Sequence, residues 1–277
     1  MPSLRDIRGR IRSVRDIQQI TRAMKMVAAA KLRRAERTME AALAYSRELD
    51  GLAARLLARH RLHPFLSPGA GPRLVAIFSS DKGLCGGFNA QVVRAALAEL
   101  GADGQTRVVA IGRQGATGLA RAGVAVERVE RDFFDGFSYS AGSRFASDLV
   151  SEFESGGAGE VVCVYQTARG VKIERLLPVA IGPDDEARSA AKGEARGEAK
   201  EEAGAEYLFE PGEEEVLDAT LRQRTYTRFF AVAAESDAAE HRARMLAMES
   251  ASTNAGDLID SLTLDYHRAR QSAITTE

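Results

Sequence analysis

All 7 prolines of this 277-residue chain (Pro2, Pro64, Pro68, Pro72, Pro178, Pro183 and Pro211) lie outside two stretches, 3–63 and 212–277. A proline inside a helix costs about 3 kcal/mol, because it removes a backbone hydrogen bond and its ring strikes the preceding turn. Each clear stretch can therefore run as one helix, and at about 1.5 Å per residue such helices reach roughly 80 to 100 Å. That exceeds the diameter of a compact domain of this size, so neither can be an ordinary core helix. An amphipathic helix of such length must bury its stripe along its whole extent. Within one chain the simplest arrangement is an antiparallel coiled coil of the two ends.

The apolar positions of the first stretch, Leu4, Ile7, Ile11, Val14, Ile17, Met24, Val27, Leu32, Ala35, Met39, Leu43, Leu49, Leu52 and Leu56, recur mostly at threes and fours. That spacing predicts a coiled-coil seam. Val216, Leu221, Phe229, Val232, Met245, Met248, Ala251, Leu258, Leu262, Tyr266 and Ala269 repeat it more loosely in the last stretch.

Between the two helices the period shortens. The β-branched runs RLVAIFSS (73–80), RVVAIG (107–112), VAVERV (124–129), EVVCVYQTA (160–168) and RLLPVAI (175–181) alternate with helical segments near 89–101, 113–122 and 139–155. Such alternation predicts a mostly parallel sheet with helices on its faces. The expected fold class is α/β: a Rossmann-like domain over 73–182, inserted into a long antiparallel α-helical coiled coil with arms 1–62 and 212–277. Residues 183–206 are a low-complexity run of Ala, Glu, Lys, Arg and Gly whose like charges recur four apart. A helix would stack those charges on each other, so a solvated charged loop is expected there.

Cys85 and Cys163, the 2 cysteines, stand far apart with no CxxC and no histidine cluster, which argues against a disulfide framework and a zinc site. No run of about 18 apolar residues occurs, and the start lacks a signal-peptide core. A net charge of -1 hides an asymmetry: residues 1–60 carry 14 Lys and Arg against 6 Asp and Glu, while 183–215 carry 4 against 12. The basic end suits an acidic surface, whether nucleic acid, anionic lipid or protein. Aromatic residues that would stack bases are missing between its arginines, and the charge pattern serves nucleic acid and a carboxylate-lined protein groove equally.

The stretch SSDKGLCGGFNA (79–90), between a strand and a helix, stands where α/β proteins hold phosphate. It matches neither phosphate signature. A Walker A loop needs Gly-Lys followed by Ser or Thr, whereas Lys82 precedes Gly83. The dinucleotide pattern GxGxxG is also absent, and GRQGATG (112–118) has the wrong first spacing. A nucleotide-binding α/β enzyme therefore ranks below a structural turn, in which Asn89 is expected as the N-cap of the following helix and Phe88 as its apolar staple. No GxSxG elbow or HExxH occurs, and the four histidines (His60, His63, His241, His267) lie on or beside the long helices. Cys85, beside Lys82 and near a helix start, is the one candidate for thiol reactivity, and packing is the simpler role.

Four segments, LRDIRGRIRSVRDIQQITRAMKMVAAAKLRRAE (4–36), SSDKGLCGGFN (79–89), EYLFEP (206–211) and ARMLAMESASTNAGDLIDSLTLDYHRARQSAITTE (243–277), closely resemble the gamma subunit of the F-type ATP synthase, in order and separation. The resemblance implies a non-catalytic rotor with no cofactor and no metal. Its coil would stand inside a hexamer of alpha and beta subunits, and its Rossmann-like domain would sit on the membrane ring, at the cytoplasmic face of a bacterial inner membrane. Proton flow would turn it, and each beta subunit would meet a different face in succession. The partners implied are alpha, beta and epsilon subunits and the ring, with no nucleic acid. By motif position, Met24, Lys25, Arg244, Met245, Met248, Arg270, Gln271 and Thr275 would contact alpha and beta. Asp81, Lys82 and Cys85 would meet the beta lever or epsilon, and Tyr207 and Glu210 the ring or epsilon. Two departures stand out: family members usually continue beyond the position of Glu277, and the acidic loop is longer than in many bacterial relatives. That loop has no cysteine, so a dithiol switch is not expected.

Overall fold

The computed structural model describes residues 4–58, 62–100, 106–180 and 209–276. Helix α1 spans Leu4–Leu57 (54 residues), and the last helix, α5, spans Glu213–Thr276 (64 residues). They run antiparallel, as cross-helix partners show: Arg8 with Tyr266, Lys25 with Glu249, Glu36 with Arg242, and Asp50 with Arg224.

The seam between them differs from the one that hydrophobicity alone selects. Residues of α1 shielded by α5 follow an unbroken alternation of threes and fours: Ile7, Ile11, Val14, Gln18, Thr21, Lys25, Ala28, Leu32, Ala35, Met39, Ala42, Ser46, Leu49, Ala53 and Leu56. The matching row on the distal half of α5 is Ala238, His241, Met245, Met248, Ser252, Ala255, Ile259, Leu262, Tyr266 and Ala269. This is the heptad spacing of a left-handed coil, but small and polar residues hold many of its positions. Ile17 and Val27, expected in the seam, are 53% and 58% exposed, and Leu258 is 48% exposed. Polar seam residues make specific cross-links: Gln18 Nε2 donates to the Ser252 carbonyl at 3.3 Å, and Lys25 Nζ lies 2.7 Å from Glu249.

Between the coil arms lie a short 3-10 turn (Pro64–Leu66), β1 (Arg73–Phe78), α2 (Phe88–Glu99), β2 (Arg107–Ile111), α3 (Arg113–Arg121), β3 (Arg128–Glu130), α4 (Tyr139–Glu154), β4 (Glu160–Thr167) and β5 (Gly170–Leu177). The sheet order is β3-β2-β1-β4-β5, parallel except for the antiparallel β4–β5 hairpin. Two strands depart from expectation. Strand β3 starts four residues later than the β-branched run, because the Val124 amide turns back to the Leu119 carbonyl and closes α3. Strand β5 starts at Gly170 rather than near 175, since a tight turn at φ +129° brings the alternating Lys172, Ile173, Glu174 and Arg175 alongside β4.

Strand period two divides the core. Leu74, Ala76 and Phe78 of β1 face α4 and α5, with Phe145, Leu149, Phe229 and Val232, while Val75 and Ile77 face α2 and α3, with Val92 and Leu119. In its middle α5 is wrapped on every side: Phe229, Phe230, Ala231, Val232, Ala233 and Ala234 are all buried between α1, α4 and the sheet. Phe229 stacks on Phe145 (centroids 5.1 Å apart) and meets Phe78 at 5.5 Å. One buried charge cluster also joins α5 to the sheet. Arg228 grips both oxygens of Glu174 on β5, which also accepts the Tyr165 hydroxyl at 2.9 Å and Lys172 at 2.6 Å. Burial opposes ionisation of Glu174, yet the hydrogen bonds and charge of Arg228, with Lys172, hold its pKa down to about 2. Glu235, also buried, has its pKa raised by desolvation; Arg228, at 3.9 Å, counters only part of this.

The close packing of the β1 and β2 ends explains one glycine. Gly112 has φ +91°, and a Cβ there would sit 2.1 Å from the Ser79 carbonyl oxygen. Gly112→Ala is expected to lower the unfolding free energy by about 2 kcal/mol or more, measured by urea titration. Retention of wild-type stability would show that the two loops separate freely.

Candidate subunit-contact surface

The 79–90 stretch folds around its own polar groups. Ser79 Oγ lies within 3.0 Å of the Ile111 and Gly112 carbonyls and accepts the Gly115 amide at 2.9 Å. Helix α2 begins at Phe88, with Gly87 as an N-cap that offers no side chain. Asn89 is therefore inside the helix, contrary to the expected N-cap. Its Oδ1 accepts the Ser80 amide at 2.9 Å, and its Nδ2 reaches Cys85 Sγ at 3.2 Å. Phe88 is not a staple preceding the cap either; it is buried against Cys85 and Ala239 of α5. The turn at Gly86 (φ +59°) starts the helix before the residue that composition nominates.

Asp81 fills the position where a phosphate would be sought. Its Oδ1 accepts the Arg113 amide at the start of α3 (2.9 Å), and Oδ2 accepts the Asp132 amide (3.0 Å). A helix start offers unpaired N–H groups and positive potential, and here the chain's own carboxylate answers both. Asp81→Ala is expected to cost about 1 kcal/mol, the usual value of a lost helix cap, and to speed hydrogen exchange at Arg113. Unchanged exchange there would show that the contact carries no weight.

Of the three loop residues expected to meet neighbours, Lys82 is exposed, Asp81 is half-buried in the bonds just described, and Cys85 is 2% exposed. Leu84 is 64% exposed at φ +65°, a conformation unfavourable for a leucine. The loop leans on α5 through Arg244, whose guanidinium donates to the Gly83 carbonyl at 3.2 Å and pairs with Glu240 at 2.5 Å.

On the coil, Lys25 is paired with Glu249, so Met24 and Met248 share one level. Met248 is buried there and Met24 half-buried. Met245 sits a turn further towards the sheet, packed against the cluster of Leu32, Ala35 and Ala238. Arg270, Gln271 and Thr275 are exposed near the far end of α5, and Glu210 is exposed before its start. Tyr207 and the 183–206 loop lie outside the described residues. Motif reasoning missed the exposed apolar side chains Ile17, Ile20 and Met26 on α1 and Leu246, Leu264 and Ile274 on α5. Their signal is phase: they are apolar residues that fall outside the heptad row.

A pinned coil that turns so many apolar side chains outward is a surface made to be enclosed. The family model described as ATP synthase matches residues 3–277. The ATP synthase gamma chain of Chlorobaculum parvum is 36% identical over 293 residues, covering 100% of this chain and 96% of the relative. The chain belongs to the ATP synthase gamma-chain family. The gamma chain of Desulfitobacterium hafniense is 37% identical over 283 residues, with 100% and 96% covered. The gamma-chain fold has counterparts among solved structures. The rotor of the Euglena gracilis mitochondrial ATP synthase superposes with a TM-score of 0.66 at 16% identity, covering 98% of each chain. The central stalk and c-ring structure of the Tetrahymena thermophila mitochondrial enzyme gives 0.63 at 21% identity, covering 84% of this chain and 99% of the other.

Proposed function

We propose that the chain is the rotating shaft of a bacterial F-type ATP synthase, coupling proton flow through a membrane ring to ATP synthesis or hydrolysis on alpha and beta subunits. The observation that carries the reading is the divided use of apolar side chains in the coil. Small and polar groups hold many of the seam positions, while Ile17, Ile20, Met26, Val27, Leu246, Leu258, Leu264 and Ile274 are left outside. Apolar contact is non-directional, so such a face can be enclosed by a sleeve without locking into one hydrogen-bonded orientation. A rotor acts on a site only by contacting its alternative states unequally, and a coil with Lys25 on one side and leucines on others, flanked by a loop that carries Lys82, presents unequal faces.

In this reading the coil arms 1–62 and 212–277 form the shaft, the 73–182 unit is the foot that meets epsilon and the ring, and Glu210 and Tyr207 serve the ring or epsilon contact. Met24, Lys25, Arg244, Met245, Met248, Arg270, Gln271 and Thr275 serve the alpha and beta contacts. Lys82 and Leu84 are the groups the 79–90 loop offers outward, with Asp81 and Cys85 holding its shape. No described helix is long and apolar enough to cross a membrane, and attachment at the cytoplasmic face goes through the ring. The chain itself performs no chemistry. Affinity purification of the tagged chain from native membranes tests the reading: alpha, beta and epsilon subunits are expected in the eluate. Recovery of the chain without them, or with nucleic acid released by salt, would overturn it.

A further inference from the structure

Leu84 combines two properties that a leucine gains nothing from within its own chain. Its backbone sits at φ +65°, in the left-handed region, where the Cβ of an L-residue crowds the neighbouring carbonyl and glycine does not. Its side chain is 64% exposed, so burial within the chain does not offset that strain. Glycine is the residue such a position favours, and the sequence places it at 83, 86 and 87 but not at 84.

The surrounding loop fixes Leu84 in this posture. On one side, Ser80 Oγ donates to the Lys82 carbonyl at 2.6 Å, and Arg244 of α5 donates to the Gly83 carbonyl at 3.2 Å. On the other, Cys85 is buried with Phe88 and Ala239, and Asn89 Nδ2 reaches its sulfur at 3.2 Å. The turn rests on α5: Ala243 packs against Cys85 and Phe88, and a Cβ at Gly86 would stand 3.9 Å from that of Ala247. Leu246, 54% exposed, follows Ala243 by three residues and so shares its face of the helix. Lys82, two residues before Leu84, is exposed as well.

Strained backbone persists where its surroundings over-determine it, and it concentrates where a contact is made. An apolar side chain held outward in this way gains by leaving water. We propose that Leu84 is an anchor that enters an apolar cleft bordered by carboxylates on the alpha and beta subunits, with Leu246 at its flank and Lys82 facing the acidic border. Leu246 belongs to the outward apolar face of the coil, and continuity with that face sets the anchor on the hexamer side rather than under the foot. The positive charge of Lys82 selects an acidic border. The anchor rests on the rotor reading and narrows one of its contacts to a single side chain.

Reconstitution of the full-length chain with recombinant alpha and beta subunits, without epsilon, tests the anchor. Leu84→Gly and Leu84→Asn both suit the left-handed backbone, and both remove the apolar side chain. Each is expected to leave the hexamer about tenfold faster than the wild type. In the free chain, urea titration is expected to show the folding equilibrium constant of Leu84→Gly raised about threefold, since strain is relieved and no buried contact is lost. Leu97→Gln, which replaces an exposed leucine of α2, is expected to leave both measurements unchanged. A stabler free chain that dissociates faster is a result that a purely structural role of Leu84 would not give. Dissociation of both variants within about twofold of the wild type, a less stable free Leu84→Gly chain, or faster release only once epsilon is added, overturns the anchor and leaves the rotor reading standing. Failure of the wild-type chain itself to assemble with alpha and beta overturns the rotor reading, and the anchor with it.

Discussion

Replacing Arg228 by methionine is expected to lower the unfolding free energy by about 3 to 5 kcal/mol at pH 7, the usual cost of removing one partner of a buried ion pair. Arg228 and Glu174 are each 17% exposed, and Arg228 engages both carboxylate oxygens. Once Arg228 is gone, Glu174 keeps only the more exposed Lys172 and the Tyr165 hydroxyl. The pH dependence separates this from a simple loss of packing. In the wild type the Glu174 pKa is lowered from 4.5 to about 2. The stabilisation is therefore complete above the unfolded value and is lost as pH falls through the folded one. In the variant, burial without a guanidinium raises the same pKa, so ionised Glu174 opposes folding at neutral pH and ceases to do so once protonated. The deficit of Arg228→Met is accordingly expected to shrink to less than about half at pH 3. Urea titrations at both pH values measure it, and an equal deficit at each would mean that shape, not charge, is what Arg228 supplies.

The second large effect is expected at Phe229. Its ring is fully buried and touches Phe78 of β1 and Phe145 of α4, so it bolts the middle of α5 to the α/β unit. Phe229→Ala removes the ring and leaves a cavity that rigid neighbours fill poorly, with an expected loss of about 3 to 5 kcal/mol. Phe229→Leu keeps much of the volume and is expected to recover more than half of it. In the assembled complex a loosened joint between shaft and foot would show as continued ATP hydrolysis with weakened proton pumping, read in inverted membrane vesicles. Equal loss of both activities in Phe229→Ala would indicate that assembly, not transmission, had failed.

The sequence discloses the architecture through coarse signals that chain connectivity alone enforces. Proline positions bounded α1 and α5, and the alternation of strand and helix runs implied the mostly parallel sheet. What stayed hidden depended on partners distant in sequence. Hydrophobicity alone places Ile17, Val27 and Leu258 in the seam, where phase excludes them; Thr21, Ala28 and Ser46 are buried by the opposite helix, which their own character does not reveal. The start of strand β5 is hidden because Lys172, Glu174 and Arg175 read as polar, although Glu174 is neutralised by an arginine 54 residues away. The 79–90 loop carries no phosphate signature, and only the fold shows Asp81 seated at the α3 start.

The cross-links at distinct levels of the coil have one more implication. A seam of alanines and leucines alone could slip by a heptad, some 10 Å of travel at 1.5 Å per residue, with modest penalty. Gln18 with Ser252, Lys25 with Glu249, Glu36 with Arg242 and Asp50 with Arg224 would all be broken by such a slip. Polar seam residues fix register in this way at some expense of stability. The outward leucines and isoleucines near the far end of the coil therefore keep one height above the sheet, like the cuts on a key held at one depth.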